Sequence, residues 1–157
     1  MKPITYLTGD ATNPAEVNER KIIAHIVNTI GAWGAGFVLA LSRRWKTPET
    51  EYRKWFEASG YKLSLGEVQF VKVEKDMVVA NMVGQESIGW RDGIPPIRYN
   101  AVDTCLKKVA EIAKKHGASV IFPRIGCGLA GGKWEEIEPL LIENLSKQDI
   151  SVYVYDL

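Results

Sequence analysis

Two stretches of this sequence combine residues suited to holding an anion. In the first, Asn28 leads through Gly31, Ala32, Trp33, Gly34, Ala35 and Gly36 into a helical pattern at Phe37. In the second, Ile125, Gly126, Cys127, Gly128, Leu129, Ala130, Gly131 and Gly132 lead into another at Trp134. Glycine lets backbone N–H groups converge and lets an anion approach with no Cβ in the way. A helix start adds unpaired donors and the positive end of the dipole, favouring an anion by roughly 0.3–1 kcal/mol on a surface. One such segment alone reads better as a tight strand-to-helix turn. Two in one α/β chain point to a ligand, because ligands in such folds collect beyond strand ends. Neither segment carries the GKS or GKT of a P-loop, and neither fits GxGxxG with an acidic residue at the usual distance. The chemistry that remains is a diphosphate held by backbone amides.

The elements that position these segments alternate in type. A short strand covers Ile4 to Thr8 and stops at Gly9-Asp10. KIIAHIVN is nearly continuous in apolar residues and too short for a helix, so it reads as a buried strand. GFVLALSRRW restores helical spacing, and Thr47-Pro48 looks like an N-cap with proline at the first helical position of a helix through Ala58. EVQFVKV alternates as a half-exposed strand does, and MVVANMV reads as a buried one. The stretch Gly84 to Pro96, with three glycines and two prolines, reads as a loop long enough to be functional. The strongest helical pattern runs from Tyr99 to His116, with Val102, Cys105, Leu106, Val109, Ile112 and Ala113 on one face and Gly117 as its C-cap. SVIFP is a strand, Trp134 to Leu145 a helix, and ISVYVYDL a closing strand. The expectation is one three-layer α/β/α domain over residues 1–157, with a mixed sheet of about six strands.

Composition narrows the classes of function. The chain has 157 residues, 46% hydrophobic and 25% charged, as in an ordinary globular domain. Twenty Lys and Arg against nineteen Asp and Glu leave +1, which argues against duplex nucleic acid as a partner. A small anion needs no such excess. No apolar run approaches the roughly 20 residues that span a bilayer, and MKPITYLTGD lacks the apolar core of a secretory signal. Cys105 and Cys127 are too few for a disulfide framework, so a cytoplasmic setting is expected. His25 and His116 have no metal-ligand spacing, and neither a metal nor a cofactor is expected.

GDAT after the first strand, AHIVN followed by GAWGAGF, PRIGCGLAGG before a tryptophan-led helix, and the ending VYVYDL resemble a macrodomain over essentially the whole chain. PRIGCGL and YDL are most similar to the branch containing terminal ADP-ribose glycohydrolases. H-x-x-N-x-x-G-x-W-G-x-G also resembles the yeast-type ADP-ribose 1''-phosphate phosphatases. The resemblance implies a nucleotide ligand, ADP-ribose or a derivative, free or carried on an ADP-ribosylated protein. It implies that Asp10 accepts from the adenine amine, that the Ala11 amide binds the ring edge, and that Asn28 faces the distal ribose. Gly34, Ala35, Gly36 and Phe37, with Gly126, Cys127, Gly128, Leu129 and Ala130, would line the diphosphate and distal ribose, and Leu157 would lie beside the adenosine.

Each residue also has a structural reading. Aspartate after a strand-end glycine commonly makes an Asx-turn. Asn28 reads equally as a residue that satisfies loop backbone. Trp33 is either a lid or a packing anchor, and Trp45, Trp55 and Trp134 read as core. Cys127 reads as a small residue that lets its loop close, with no histidine adjacent in sequence to activate it. His116 suits a helix C-terminus, and Lys107, Lys108, Lys114 and Lys115 suit a solvated face. His25 interrupts an apolar strand, yet matches the histidine proposed as catalytic in the phosphatase-like branch. The glycohydrolase branch uses a lysine in the strand-to-loop segment and an aspartate in the second loop. MVVANMVGQES has no lysine, and Ala130 stands at the aspartate position. Phosphate removal from ADP-ribose 1''-phosphate, with His25 and Asp92 as acid–base groups, is therefore the expected chemistry. A non-catalytic reader, or a glycohydrolase without the usual pair, are the alternatives.

Overall fold

A strand buried on both faces has no polar side to show, which is why KIIAHIV lacks alternation. The computed structural model, which describes residues 1–157, places this strand centrally. In chain order the elements are β1 (Thr5–Thr8), β2 (Lys21–Asn28), α1 (Phe37–Arg44), α2 (Thr47–Ala58), β3 (Val68–Glu74), β4 (Met77–Gln85), α3 (Tyr99–His116), β5 (Ser119–Phe122), α4 (Trp134–Asn144) and β6 (Val152–Asp156). The six-stranded sheet has the order β1-β6-β5-β2-β4-β3. Every neighbouring pair is parallel except β3 with β4. The half-exposed pattern of β3 follows from its place at the antiparallel edge.

Alternation along the strands splits the interior in two. Ile22, Ala24, Ala80, Met82, Val120 and Phe122 pack under α3 and α4 against Val102, Leu106, Val109, Ile137 and Leu141. Ile23, Val79, Val83 and Ile121 face the other way, against Val38, Leu41 and Tyr52 of α1 and α2. The result is the expected three-layer α/β/α arrangement. Gly117 ends α3 in the left-handed conformation, its N–H bonded to the Ala113 carbonyl.

Several boundaries differ from the sequence reading. Helix α2 includes Thr47 and has Lys46 as its N-cap, with proline in the first turn. Strand β4 extends through Gln85, and the second glycine segment contains a short 3-10 turn at Gly128–Ala130. Trp45, Trp55 and Trp134 pack against the two cores but stay half-buried at their margins. Trp45 donates to Glu74 at 3.0 Å, and Trp134 donates to the Tyr6 hydroxyl at 3.1 Å, so each keeps its polar edge near the surface.

Candidate ligand-binding cleft

Parallel β2 and β5 deliver both glycine segments to the same end of the sheet. Between them lies a cleft of about 330 Å³, lined by His25, Ile26, Ala35, Gly36, Phe37 and Val38 on one side. Gln85, Pro123, Arg124 and the run Ile125 to Ala130 line the other. The two loops approach each other closely: Leu129 Cδ1 lies 3.9 Å from where a Cβ on Gly36 would stand.

The glycines divide into two kinds. A Cβ on Gly31 would stand 2.4 Å from the Phe56 ring, on Gly126 2.4 Å from Ile97, on Gly131 2.6 Å from Pro95, and on Gly132 2.3 Å from the Gly126 carbonyl. These four let the chain fold back on itself. A Cβ on Gly34 or Gly128 would meet nothing within 4 Å. Both are exposed, and no packing requirement explains the absence of a side chain.

The first loop is tied by side chains. Asn28 Oδ1 accepts from the amides of Ile30 (3.1 Å) and Ala32 (3.0 Å), while its Nδ2 donates to the Ala32 carbonyl at 2.8 Å. The buried Tyr52 hydroxyl donates to the Asn28 carbonyl at 2.6 Å, with Asn28 Oδ1 at 3.0 Å. Arg53 reaches the Gly31 carbonyl at 3.3 Å. Asn28 therefore serves the loop backbone first, and it is absent from the cleft lining. Trp33 is 5% exposed and donates to Ser42 at 2.8 Å. That makes it an anchor under the loop rather than a lid.

Asp10 makes the Asx-turn, its Oδ1 accepting from the Thr12 amide at 2.8 Å and the Thr12 hydroxyl at 2.7 Å. Its carboxylate stays exposed, whereas Ala11 is buried. The Gly9 amide donates to the Asp156 carbonyl at 2.7 Å, which brings Asp10 and the chain end to one corner. The Leu157 side chain is fully solvated there.

His25 differs from its expected part. It is 2% exposed, pairs through Nε2 with Asn81 Oδ1, and packs edge-on to Trp33 with ring centroids 5.4 Å apart. Burial lowers its pKa to about 4 despite the Asn81 bond, so the ring is neutral near pH 7. Asn81 Nδ2 donates in turn to Gln69 Oε1 at 3.0 Å, and Gln69 donates to the Glu51 carbonyl at 2.9 Å. His25 thus begins a buried polar ladder across β2, β4 and β3 to α2. Asp92 is exposed in the loop after β4, outside the cleft lining. The acid–base pair expected from sequence is not brought together in the cleft: one member is buried and neutral, and the other is exposed and outside the lining.

Arg124 was not singled out by the sequence. Its guanidinium makes a two-pronged pair with Asp156 at 2.7 and 2.8 Å, and lies 4.9 Å from the Tyr6 ring centroid and 4.6 Å from that of Trp134. The pair holds the Asp156 carboxyl below its ordinary range. The basic residue within PRIGCGL was the available signal. Its partners are brought together only by the order β1-β6-β5. Burial raises the Cys127 thiol pKa more than Arg124 lowers it, so the neutral thiol is favoured. His/Cys/Asp/Glu groups with metal-site geometry are absent.

Comparison with known proteins bears on this architecture. No family model matches the chain. A solved structure of a macrodomain protein from Streptomyces coelicolor is 47% identical, covers 99% of both chains, and superposes with a TM-score of 0.86. The mouse chromodomain-helicase-DNA-binding protein 1-like is 32% identical over 97% of this chain, which spans only 17% of that relative's length. An ADP-ribose 1''-phosphate phosphatase from Lodderomyces elongisporus is 25% identical over 98% of this chain and 99% of its own. With near-half identity over full length joined to the same layered fold, the chain belongs to the macrodomain family.

Proposed function

We propose that residues 1–157 form one macrodomain that binds ADP-ribose or a derivative of it. The diphosphate would lie between the two glycine loops, the adenine towards Asp10 and Leu157, and the distal ribose towards Phe37 and Leu129. The observation that carries this reading is a pair of glycines that face open space: Gly128 in the lining of a cleft between two parallel strand ends, and Gly34, which is not itself in that lining but precedes the lining residue Ala35. Backbone amides there are free of side-chain obstruction, and a phosphate is the ligand such loops suit. The exposed Asp10 carboxylate, fixed by its turn, is a ready acceptor for an exocyclic amine. Asn28 keeps one Nδ2 hydrogen outside the loop's bonds and would reach the ligand only through it.

A second reading, release of phosphate from ADP-ribose 1''-phosphate, draws support from the fungal phosphatase relatives. His25 would not be the acid in it, since a neutral, Asn81-bonded imidazole has no spare proton to give near pH 7. Calorimetry with ADP-ribose, AMP and ribose 5-phosphate tests the first reading. ADP-ribose should bind one to one and tighter than either fragment. Binding of AMP alone with equal affinity would reject the diphosphate placement. Phosphate assays on ADP-ribose 1''-phosphate test the second, and a wild-type protein that binds yet releases no phosphate leaves a reader.

A further inference from the structure

The end of the sheet opposite the glycine loops carries a second cavity. It holds about 350 Å³ and is lined by Ile22, Phe70, Met77, Val78, Ile112 and Ala118, with Arg20, Lys21, Lys75, Asp76 and His116 at its edge. Its origin lies in the topology. α3 ends at His116, and its last turns line the cavity together with the starts of β2 and β4 and Phe70 of the edge strand β3. Phe70, Val78 and Ile112 consequently stay half-buried, an apolar floor open to water. Leaving such a floor wet forgoes roughly 25 cal/mol per Å² of apolar area, which a ligand could recover.

The rim is lopsided in charge. Asp76 is its only acidic residue, and Asp76 is engaged by Arg20 at 3.6 Å. Neither Lys21 nor Lys75 takes part in an ion pair. The Lys21 ammonium is steadied by the Glu19 carbonyl at 3.1 Å. An apolar floor with two lysines on its rim, at a volume typical of small-molecule sites, suits a ligand with an apolar body and one negative group. We propose that this cavity is a second binding site, for a small aromatic carboxylate, that operates independently of the glycine-loop cleft. The carboxylate would lie towards Lys21 and Lys75, and the ring would cover Phe70 and Val78.

The test uses 2-naphthoate as probe with ¹⁵N-labelled protein. One-to-one saturation is expected, with amide shifts at Lys21, Met77, Val78 and Ala118 and none at Gly34 or Gly128. Neutral 2-naphthamide and the exposed-rim variant Lys75→Glu should each weaken binding about tenfold, near 1.4 kcal/mol. An otherwise unchanged spectrum shows that the variant is folded. Excess ADP-ribose should leave the naphthoate affinity unaltered, and this site stands whether or not ADP-ribose binds. Failure to saturate, shifts centred on the glycine loops, or naphthamide binding as tightly as naphthoate would overturn the proposal.

Discussion

The two glycine loops are held in place by different means. The loop after β2 is held by side chains from elsewhere: Asn28 bonds to its amides, Tyr52 from α2 to Asn28, and Arg53 to the Gly31 carbonyl. The loop after β5 is held mainly by its own backbone. The Gly132 amide donates to the Gly126 carbonyl at 2.6 Å, the Gly131 amide to Gly128 at 3.0 Å, and Ile97 donates to the Ala130 carbonyl at 3.1 Å. One loop therefore depends on polar side chains that are replaceable singly, and the other on the absence of side chains. Each is therefore vulnerable in a different place: the first loop to deletions of hydrogen bonds, the second to a Cβ at Gly126, Gly131 or Gly132, where it would stand within 2.6 Å of a neighbour.

The sharpest break should come at Gly132. An alanine there would place Cβ 2.3 Å from backbone that cannot move aside, whereas a Cβ on Gly34 meets nothing. Gly132→Ala should lose about 3 kcal/mol in urea unfolding, the upper end for overpacking. A loss under about 0.5 kcal/mol would show that the second loop is pliable. The next effect lies beneath the first loop and depends on pH. His25 has a folded pKa of about 4 against 6.5 for the free side chain, so the unfolded chain binds the proton more readily. Stability should be full above pH 6.5 and fall as pH drops towards 4, by about 3 kcal/mol over that window. His25→Gln should flatten this part of the pH profile. An unchanged profile would mean that His25 is not the group that resists protonation.

Tyr52→Phe probes the side-chain tether itself. Removing the hydroxyl leaves buried Asn28 acceptors short of a donor, at about 1–3 kcal/mol in chemical unfolding. Under the proposed function ADP-ribose affinity should fall with it, because the loop amides lose their frame. A stability loss with ligand affinity intact would confine Tyr52 to the core. The smallest effect belongs to the far corner. Asp10→Ala should weaken ADP-ribose binding by about 0.5–1.5 kcal/mol, measured by calorimetry, while the second-loop contacts stay as they are. Unchanged affinity would leave Asp10 with only its Asx-turn.

Much of this was legible in the sequence, for physical reasons that differ by region. Strand β2 and helix α3 announce themselves through local periodicity, and Gly117 through the need for a left-handed cap. Both glycine segments were visible because glycine reports a local demand. The side-chain pairings were not. Asn28 turns inward because Tyr52 arrives from 24 residues away, and Arg124 meets Asp156 only because β6 lies between β1 and β5. His25 was visible as buried, but the partner that occupies its Nε2, Asn81, stands on the neighbouring strand. Asp92 looked available in a glycine-rich loop, and only the fold shows that it is not among the residues lining the cleft.

The account rests on the claim that exposed glycines in these loops are empty for a ligand. Gly128 is an imperfect place to test this, because its φ of 67° would strain a branched residue whatever the space. Gly34 has neither a positive φ nor a neighbour within 4 Å. The direct measurement is therefore a calorimetric titration of ADP-ribose into wild-type and Gly34→Val protein, with unfolding midpoints recorded for both. The account predicts equal midpoints, saturable one-to-one binding by the wild type, and affinity lower by at least about tenfold, 1.4 kcal/mol, in the variant. A folded Gly34→Val protein that binds ADP-ribose as tightly as the wild type, or a wild type that does not bind it, would contradict the account.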